Sequence, residues 1–136
     1  MWEVKRIDHV VVWCRDLEKS MAFYKALGCE IDQGTLERHL HGTLPFVKVI
    51  TGPDSGIDLR PNAEWRPVDR AKGNMQHMNL AIDGVEDIQV VIDILAERGL
   101  KPDFGPEVQG GKWGFDIYDP DNNRIEIRLS VSAESS

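Results

Sequence analysis

Apolar and polar residues alternate in several short segments of the chain, and this alternation predicts β-strands. The clearest segments are HVVVW from residue 9, HMNLAID from residue 77 and RIEIRL from residue 124. After the first of them, LEKSMAFYKALG carries apolar residues at helical spacing, namely Leu17, Met21, Tyr24 and Leu27. Asp16 is suited to cap the start of this helix and Gly28 to end it. Residues 9–28 therefore predict a strand followed by a helix.

The second half of the chain repeats this order. His77 begins a strand, a turn follows at Asp83 and Gly84, and VEDIQVVIDILAERG from residue 85 again has helical spacing before Gly99. A shift of 68 residues superposes His77 on His9 and one strand–helix unit on the other. We interpret this pattern as an internal duplication.

Each strand–helix unit is followed by further strand-like segments. In the first half these are a polar stretch at 35–41, FVKVI and GIDLR; in the second they are KPDFGPEVQGG, WGFDIY and RIEIRL. In the polar stretch, His39 and His41 would share one strand face. The sequence thus predicts an α+β fold of two βαβββ modules, at about 5–62 and 75–130, within one domain at 1–130. Residues 61–74 are expected to link the modules, and 131–136 to form a frayed tail.

Composition narrows the classes of function. The chain has 136 residues, a formal charge of −7 and no clustered basic stripe, which argues against a nucleic-acid partner. No long apolar run or signal peptide is evident, so we expect a soluble, cytoplasmic protein without membrane contact. Cys14 and Cys29 are too few for a disulfide framework and are expected to be reduced thiols.

Three strand residues carry the candidate chemistry: His9, His77 and Glu126. Two histidines and a carboxylate are the minimal ligand set for an open divalent-metal site. Successive side chains of a strand point to opposite faces, so each candidate lies opposite a uniformly apolar face. The same alternation predicts one polar face that is lined by His9, Asp58, His77, Asp116, Tyr118 and Glu126.

These segments resemble the vicinal oxygen chelate superfamily. It includes glyoxalase I, methylmalonyl-CoA epimerase, fosfomycin-resistance thioltransferases, extradiol dioxygenases and metal-free bleomycin-binding proteins. The resemblance covers nearly all of 5–130 and is most specific in IDHVVVWCRDLEKSMAFYKALG, QHMNLAID and YDPDNNRIEI. The last is similar to the family's DPDGNxxE ending, with Asn122 in place of glycine. The resemblance implies paired modules that curve into one mixed sheet around a metal cleft.

Carried over residue by residue, the resemblance implies that His9, His77 and Glu126 bind a divalent metal ion (Zn, Ni, Co, Mn or Fe). Glyoxalase I and its close relatives use a fourth ligand, whose position is taken here by Asp58. Three roles stay open for Asp58: a direct ligand, a ligand through water, or a residue that only faces the cleft. In this family the last-strand carboxylate often also moves a proton, so the resemblance implies that Glu126 is catalytic.

The function implied by the resemblance is that of a metal-dependent lyase or isomerase of the glyoxalase or epimerase kind. It would bind a small carbonyl or hemithioacetal substrate through two neighbouring oxygens. One alternative is an Fe(II) or Mn(II) extradiol dioxygenase, although the tyrosine that this branch usually has falls at Asp116, two residues before Tyr118. The other alternative is a metal-free binding or resistance protein. The family also implies a homodimer.

The substrate cleft is expected to contain Trp13, Asn79, Asp116 and Tyr118. Trp13 has the strongest claim because it shares the strand face of His9. Arg60, Arg124 and Arg128 are expected to be solvated or paired with carboxylates, but an arginine near the cleft would suit an anionic substrate.

Overall fold

The computed structural model describes residues 1–67, 69–70, 73 and 75–130, and its chain divides into two units. The first unit spans Met1–Pro67 and the second spans Val68–Ser136. The predicted tail at 131–136 and residues 68, 71, 72 and 74 of the predicted linker lie outside the described residues.

The first unit contains four strands and two helices. In chain order they are β1 (His9–Cys14), α1 (Leu17–Ala26), β2 (Glu30–Ile31), α2 (Gln33–Leu40), β3 (Val47–Gly52) and β4 (Ser55–Pro61). The four strands form one mixed sheet in the order β1-β4-β3-β2. β1 is parallel to β4, and the other neighbours are antiparallel.

The second unit repeats the same strand arrangement. Its elements are β5 (Met78–Ile82), α3 (Ile88–Glu97), β6 (Phe104–Gln109), β7 (Lys112–Tyr118) and β8 (Arg124–Ser130). The sheet order is β5-β8-β7-β6, again with the first strand parallel to the last. The α+β class and the pair of βαβββ modules are confirmed, with one four-stranded sheet in each module.

Local side-chain caps set where the helices begin. The Asp16 carboxylate accepts a hydrogen bond of 3.2 Å from the backbone N–H of Lys19 at the start of α1, as predicted. Asp87 caps α3, which begins at Ile88. The start is three residues later than Val85, the first residue of the helical pattern in the sequence. None of the helices in the described parts of the chain is long and apolar enough to span a membrane.

The prediction of a strand at 35–41 is wrong, because this stretch lies in α2 and its C-terminal cap. Asp32 caps the helix by accepting a hydrogen bond of 3.0 Å from the backbone N–H of Thr35. His39 is therefore helical and His41 caps the end of the helix, so they do not share a strand face. The missing strand of the module is the two-residue β2, which precedes the helix.

The predicted alternation of faces is confirmed in β1 and β8, whereas His77, predicted to begin a strand, lies one residue before β5. In β1, Val12 and Cys14 are buried while His9 and Trp13 are exposed. In β8 the apolar positions are buried, and the charged positions between them are partly exposed. Asp58 departs from the pattern, since it occupies a polar-face position but is only 4% exposed.

Candidate metal centre

The first unit brings His9 and Asp58 together. They lie on the neighbouring parallel strands β1 and β4, whose register places Asp58 opposite Val11, two residues beyond His9. The Nε2 atom of His9 is 3.5 Å from Oδ2 of Asp58. The other carboxylate oxygen, Oδ1, is buried and has no hydrogen-bond partner within the described part of the chain. Buried polar atoms are nearly always satisfied, so this oxygen marks a position that suits a cation.

The second unit brings His77 and Glu126 together. His77 immediately precedes β5, Glu126 lies in the adjacent β8, and His77 Nε2 is 2.9 Å from Glu126 Oε2. The other oxygen, Oε1, is 2.9 Å from Nε of Arg128. Arg128 also donates a hydrogen bond of 3.1 Å to the carbonyl of Gln109 at the end of β6. Two partners therefore fix the orientation of the Glu126 carboxylate.

In both histidines, the Nδ1 atom contacts a side-chain oxygen of the preceding residue, on the side of the ring away from Nε2. Nδ1 of His9 is 2.9 Å from Oδ1 of Asp8, and Nδ1 of His77 contacts Oε1 of Gln76. When Nδ1 carries the proton, it donates to these oxygens and leaves the Nε2 lone pair for a metal ion. Metal-binding histidines in proteins are oriented in this way. The hydrogen bond with His9 also lowers the pKa of the Asp8 carboxyl below its usual value.

The spacing within each pair fits a divalent ion. Metal bonds to histidine nitrogen and carboxylate oxygen are about 2.0–2.2 Å long, which puts neighbouring ligand atoms about 3.0–3.5 Å apart. The two pairs, at 2.9 and 3.5 Å, lie close to this range. No group of three or more His, Cys, Asp or Glu side chains placed to bind a metal occurs among the described residues. Each unit by itself therefore offers two ligands.

Two of the predicted cleft residues are accessible. Trp13 is 44% exposed on the face of β1 that also carries His9. Asn79 is exposed in β5, where the register pairs it with Glu126 of β8. Both lie on the strand faces that carry the candidate ligands, and their contact with a substrate stays a prediction.

The other two predicted cleft residues are held by arginines of their own unit. Asp116 forms an ion pair with Arg124, and this contact raises the pKa of Arg124 above its usual value. The Tyr118 ring lies 4.0 Å from the guanidinium carbon of Arg70 and packs against Phe104. The β7–β8 register pairs Asp116 with Glu126, and a direct role of Asp116 or Tyr118 toward substrate stays a prediction.

The alternation of the sequence did not point to Asp8, Gln76 or Arg128 as partners of the candidate ligands. Asp8 and Gln76 precede their strands, so strand periodicity says nothing about where their side chains point. Arg128 shares the face of Glu126, which was visible in the sequence. Its contact with Oε1 depends on a side-chain conformation that the sequence does not reveal.

The first unit has two cavities, and the second of them includes Asp8, the partner of His9, in its lining. One, of about 470 Å³, is lined by residues of α1, of α2 and of the segment between them, including Met21, Leu36 and Cys29. The other, of about 370 Å³, lies beside the β3–β4 turn. Neither has His9 or Asp58 in its lining. Burial raises the pKa of the Cys29 thiol to about 11, so this cysteine is poorly suited to act as a nucleophile at neutral pH.

Known proteins match the chain in sequence and in fold. Residues 6–127 match the sequence model of the Glyoxalase/Bleomycin resistance protein/Dioxygenase superfamily. The glyoxalase domain-containing protein RDO1 of Mycosarcoma maydis is 30% identical over 129 residues, which cover 91% of this chain and 68% of that protein.

Among solved structures, a glyoxalase/dioxygenase from Nostoc punctiforme has a TM-score of 0.74 at 23% identity, covering 94% of this chain and 92% of that one. TnmS3, an antibiotic binding protein from Streptomyces sp. CB03234, has a TM-score of 0.63 at 20% identity, covering 96% and 99%. At these identities the structural matches show the shared fold alone.

Proposed function

The chain belongs to the Glyoxalase/Bleomycin resistance protein/Dioxygenase superfamily, and we propose that it is a metal-dependent enzyme of the glyoxalase or epimerase kind. Its substrate in this proposal is a small carbonyl compound or hemithioacetal that binds through two neighbouring oxygens. The observation that carries the proposal is the repeated His–carboxylate pair, His9 with Asp58 and His77 with Glu126. In each pair the histidine is oriented for metal binding by the residue before it.

In this proposal both pairs bind one divalent ion. Four ligands of the imidazole and carboxylate types suit Zn, Ni, Co, Mn or Fe and leave positions for two substrate oxygens. The burial of Asp58 supports a direct ligand, in preference to a ligand through water or a residue that only faces the cleft. So does its Oδ1 atom, which has no hydrogen-bond partner among the described residues. A fourth protein ligand in turn favours the glyoxalase or epimerase branch over a dioxygenase that uses three.

The roles of the chain's own residues follow from their contacts. A divalent ion bound by the four ligands would act as a Lewis acid on neighbouring substrate oxygens. In this proposal Glu126 takes a proton from, and returns it to, the carbon beside those oxygens. Arg128 holds Oε1 of that carboxylate and thereby restricts its rotation. Asp8 and Gln76 contact Nδ1 of His9 and of His77 respectively, and would thereby leave Nε2 of each ring for the ion.

Metal analysis tests the ligand set. We expect protein purified without added metal to contain one equivalent of a divalent ion per chain, and His9→Ala and His77→Ala each to lose it. The loss of affinity should exceed the roughly 10–100-fold that removal of an outer hydrogen-bond partner costs. His41→Ala, at the C-terminal cap of α2, is the matched control and should keep its metal. Metal content unchanged in His77→Ala would refute the assignment.

Turnover without oxygen tests the reaction class. Metal-loaded protein should isomerise a hemithioacetal, or exchange the proton beside a carbonyl, under strictly anaerobic conditions. Glu126→Gln should abolish turnover, and metal content should be measured in the same sample because Glu126 is also a proposed ligand. Ring cleavage of a catechol that requires O₂ would support the dioxygenase instead. Tight binding of a small molecule by metal-free protein, with no turnover, would support a binding or resistance protein.

We also propose that the chain forms a homodimer. Large apolar side chains are exposed in the segment before β1, including Trp2, Val4 and Ile7 at 87%, 90% and 73%. Exposed apolar clusters of this kind commonly mark protein–protein contacts. Light scattering after size-exclusion chromatography should give twice the chain mass of 15.4 kDa. A monomer at micromolar concentration would contradict this part of the proposal.

A further inference from the structure

Trp13 and Arg60 project from the strand face that carries His9 and Asp58, and Trp65, which follows β4, lies beside Trp13. The rings of Trp13 and Trp65 are 6.3 Å apart with planes inclined by 32°. The guanidinium carbon of Arg60 lies 5.6 Å from the centre of the Trp13 ring. We refer to Trp13, Trp65 and Arg60 as the Arg60 cluster.

Backbone contacts hold the cluster in place. The β1–β4 register puts Arg60 directly opposite Trp13. The chain then turns after β4: Asn62 donates its backbone N–H to the carbonyl of Cys14 at 2.8 Å, and Trp65 donates to the carbonyl of Asn62 at 2.9 Å. This turn brings Trp65 back beside Trp13. The cluster is therefore built by the fold of the first unit alone.

Arg60 differs from the other arginines that lie over aromatic rings in the described residues. Arg70 and Arg124 also lie over rings, but each has a carboxylate partner, Asp103 and Asp116 respectively. Arg60 is exposed, and its side chain has no ion pair or hydrogen bond with the part of the chain that is described. A guanidinium that is held on a tryptophan and lacks an anion is available to a ligand carboxylate.

The position of Arg60 sets how far such a carboxylate would lie from Asp58. Arg60 is two residues after Asp58 on the same strand, so both side chains project from the same face. Two residues of a strand span about 7 Å. A ligand whose oxygens face His9 and Asp58 can therefore place a group at Arg60 if roughly one aromatic ring separates that group from the oxygens. The two tryptophans offer apolar surface beside that path.

We propose that the Arg60 cluster binds an aromatic ring that carries a carboxylate, at the far end of a ligand whose neighbouring oxygens lie at His9 and Asp58. The inference rests on the proposed function, because it takes the His9–Asp58 pair as the place of the chelated oxygens. It adds a substrate class, the aromatic carboxylates. Arg60 supplies two parallel N–H donors for the carboxylate, and the tryptophans stack on the ring.

Two matched probes test the proposal. In 3,4-dihydroxybenzoate the carboxylate and the neighbouring hydroxyls lie on opposite sides of one ring, and 3,4-dihydroxybenzamide is its neutral counterpart. Calorimetry with the zinc-loaded protein under argon should show the acid binding at least about tenfold more tightly than the amide, as expected for a charge-assisted contact. Arg60→Gln should remove this preference while leaving amide binding unchanged. Arg38→Gln, an exposed arginine of α2, should leave both affinities unchanged.

Further measurements separate this inference from the proposed function. Trp13→Ala should weaken both probes, whereas Trp2→Phe should not. Chelating the metal should weaken both probes equally and leave the preference for the acid, since Arg60 is not a ligand. Equal affinity for acid and amide, no binding of the acid, or a preference that persists in Arg60→Gln would overturn the Arg60 proposal. A preference for the acid with no effect of metal would support the cluster and contradict the proposed metal site.

Discussion

Replacing Asp58 with asparagine should stabilise the metal-free protein and reduce the additional stability that a metal ion provides. The carboxylate is 4% exposed, and its Oδ1 atom has no hydrogen-bond partner in the described residues. Burying a charged oxygen without a partner is costly, whereas an amide is neutral and its N–H can donate to His9 Nε2. We therefore expect Asp58→Asn to raise the free energy of unfolding of the metal-free protein by about 1–3 kcal/mol.

Metal should reduce this advantage. An ion at a free concentration one hundred times its dissociation constant stabilises the folded state by about 2.7 kcal/mol. If loss of the Asp58 ligand weakens binding about tenfold, the same concentration stabilises the variant by about 1.4 kcal/mol. The stabilisation that zinc adds to the variant, compared with the stabilisation that it adds to wild type, thus reports whether Asp58 meets a cation in the native protein.

Urea unfolding at pH 8, followed by circular dichroism with EDTA and again with zinc, measures both effects. Asp54→Asn is the matched control, because Asp54 is an exposed residue of the β3–β4 turn in the same unit. It should change neither value by more than about 0.5 kcal/mol. A metal-free Asp58→Asn protein that is less stable than wild type, or one that zinc stabilises as much as wild type, would refute the reasoning.

Three further predictions concern other parts of the chain. Asp8→Ala should weaken metal binding roughly 10–100-fold in a chelator competition titration, because the orientation of His9 is lost; unchanged affinity would argue against a metal at His9. At pH 8, iodoacetamide should modify Cys29 about 100-fold more slowly in the folded protein than in urea, because burial raises its pKa from 9.0 to about 11 and favours the unreactive thiol; equal rates by mass spectrometry would contradict this. Leu59→Ala should cost about 2–5 kcal/mol in urea unfolding, since Leu59 is fully buried in β4, whereas Val108→Ala at a half-exposed position should cost little; similar losses would place the core elsewhere.

Much of the fold could be read from short-range patterns. The order of strands and helices, the duplication and the buried faces of β1 and β8 follow from periods of two and of 3.6 residues, which depend only on neighbouring residues. The polar stretch at 35–41 was predicted as a strand because it is short and has few apolar residues that would reveal a helical period. The capping carboxylate of Asp32, just before it, was the local signal for a helix.

Part of the candidate site could also be predicted from local sequence patterns, and part could not. Residue types and strand faces identified His9, Asp58, His77 and Glu126, and the family resemblance suggested that they act together. The burial of Asp58 could not be predicted from alternation, because a polar-face position is exposed or covered according to what packs over it. The partners Asp8, Gln76 and Arg128 depend on side-chain conformations outside or across the strands.

Apart from the segment at 30–41, the sequence by itself determined the order of strands and helices and the strand faces of His9 and Glu126, because those properties arise from interactions between near neighbours. Only the tertiary structure decided which atoms meet. The register between β1 and β4 brings Nε2 of His9 to Asp58, and the packing of β5 beside β8 brings Nε2 of His77 to Glu126. Strand register and side-chain conformation depend on contacts between residues far apart in the chain, and no local pattern records them.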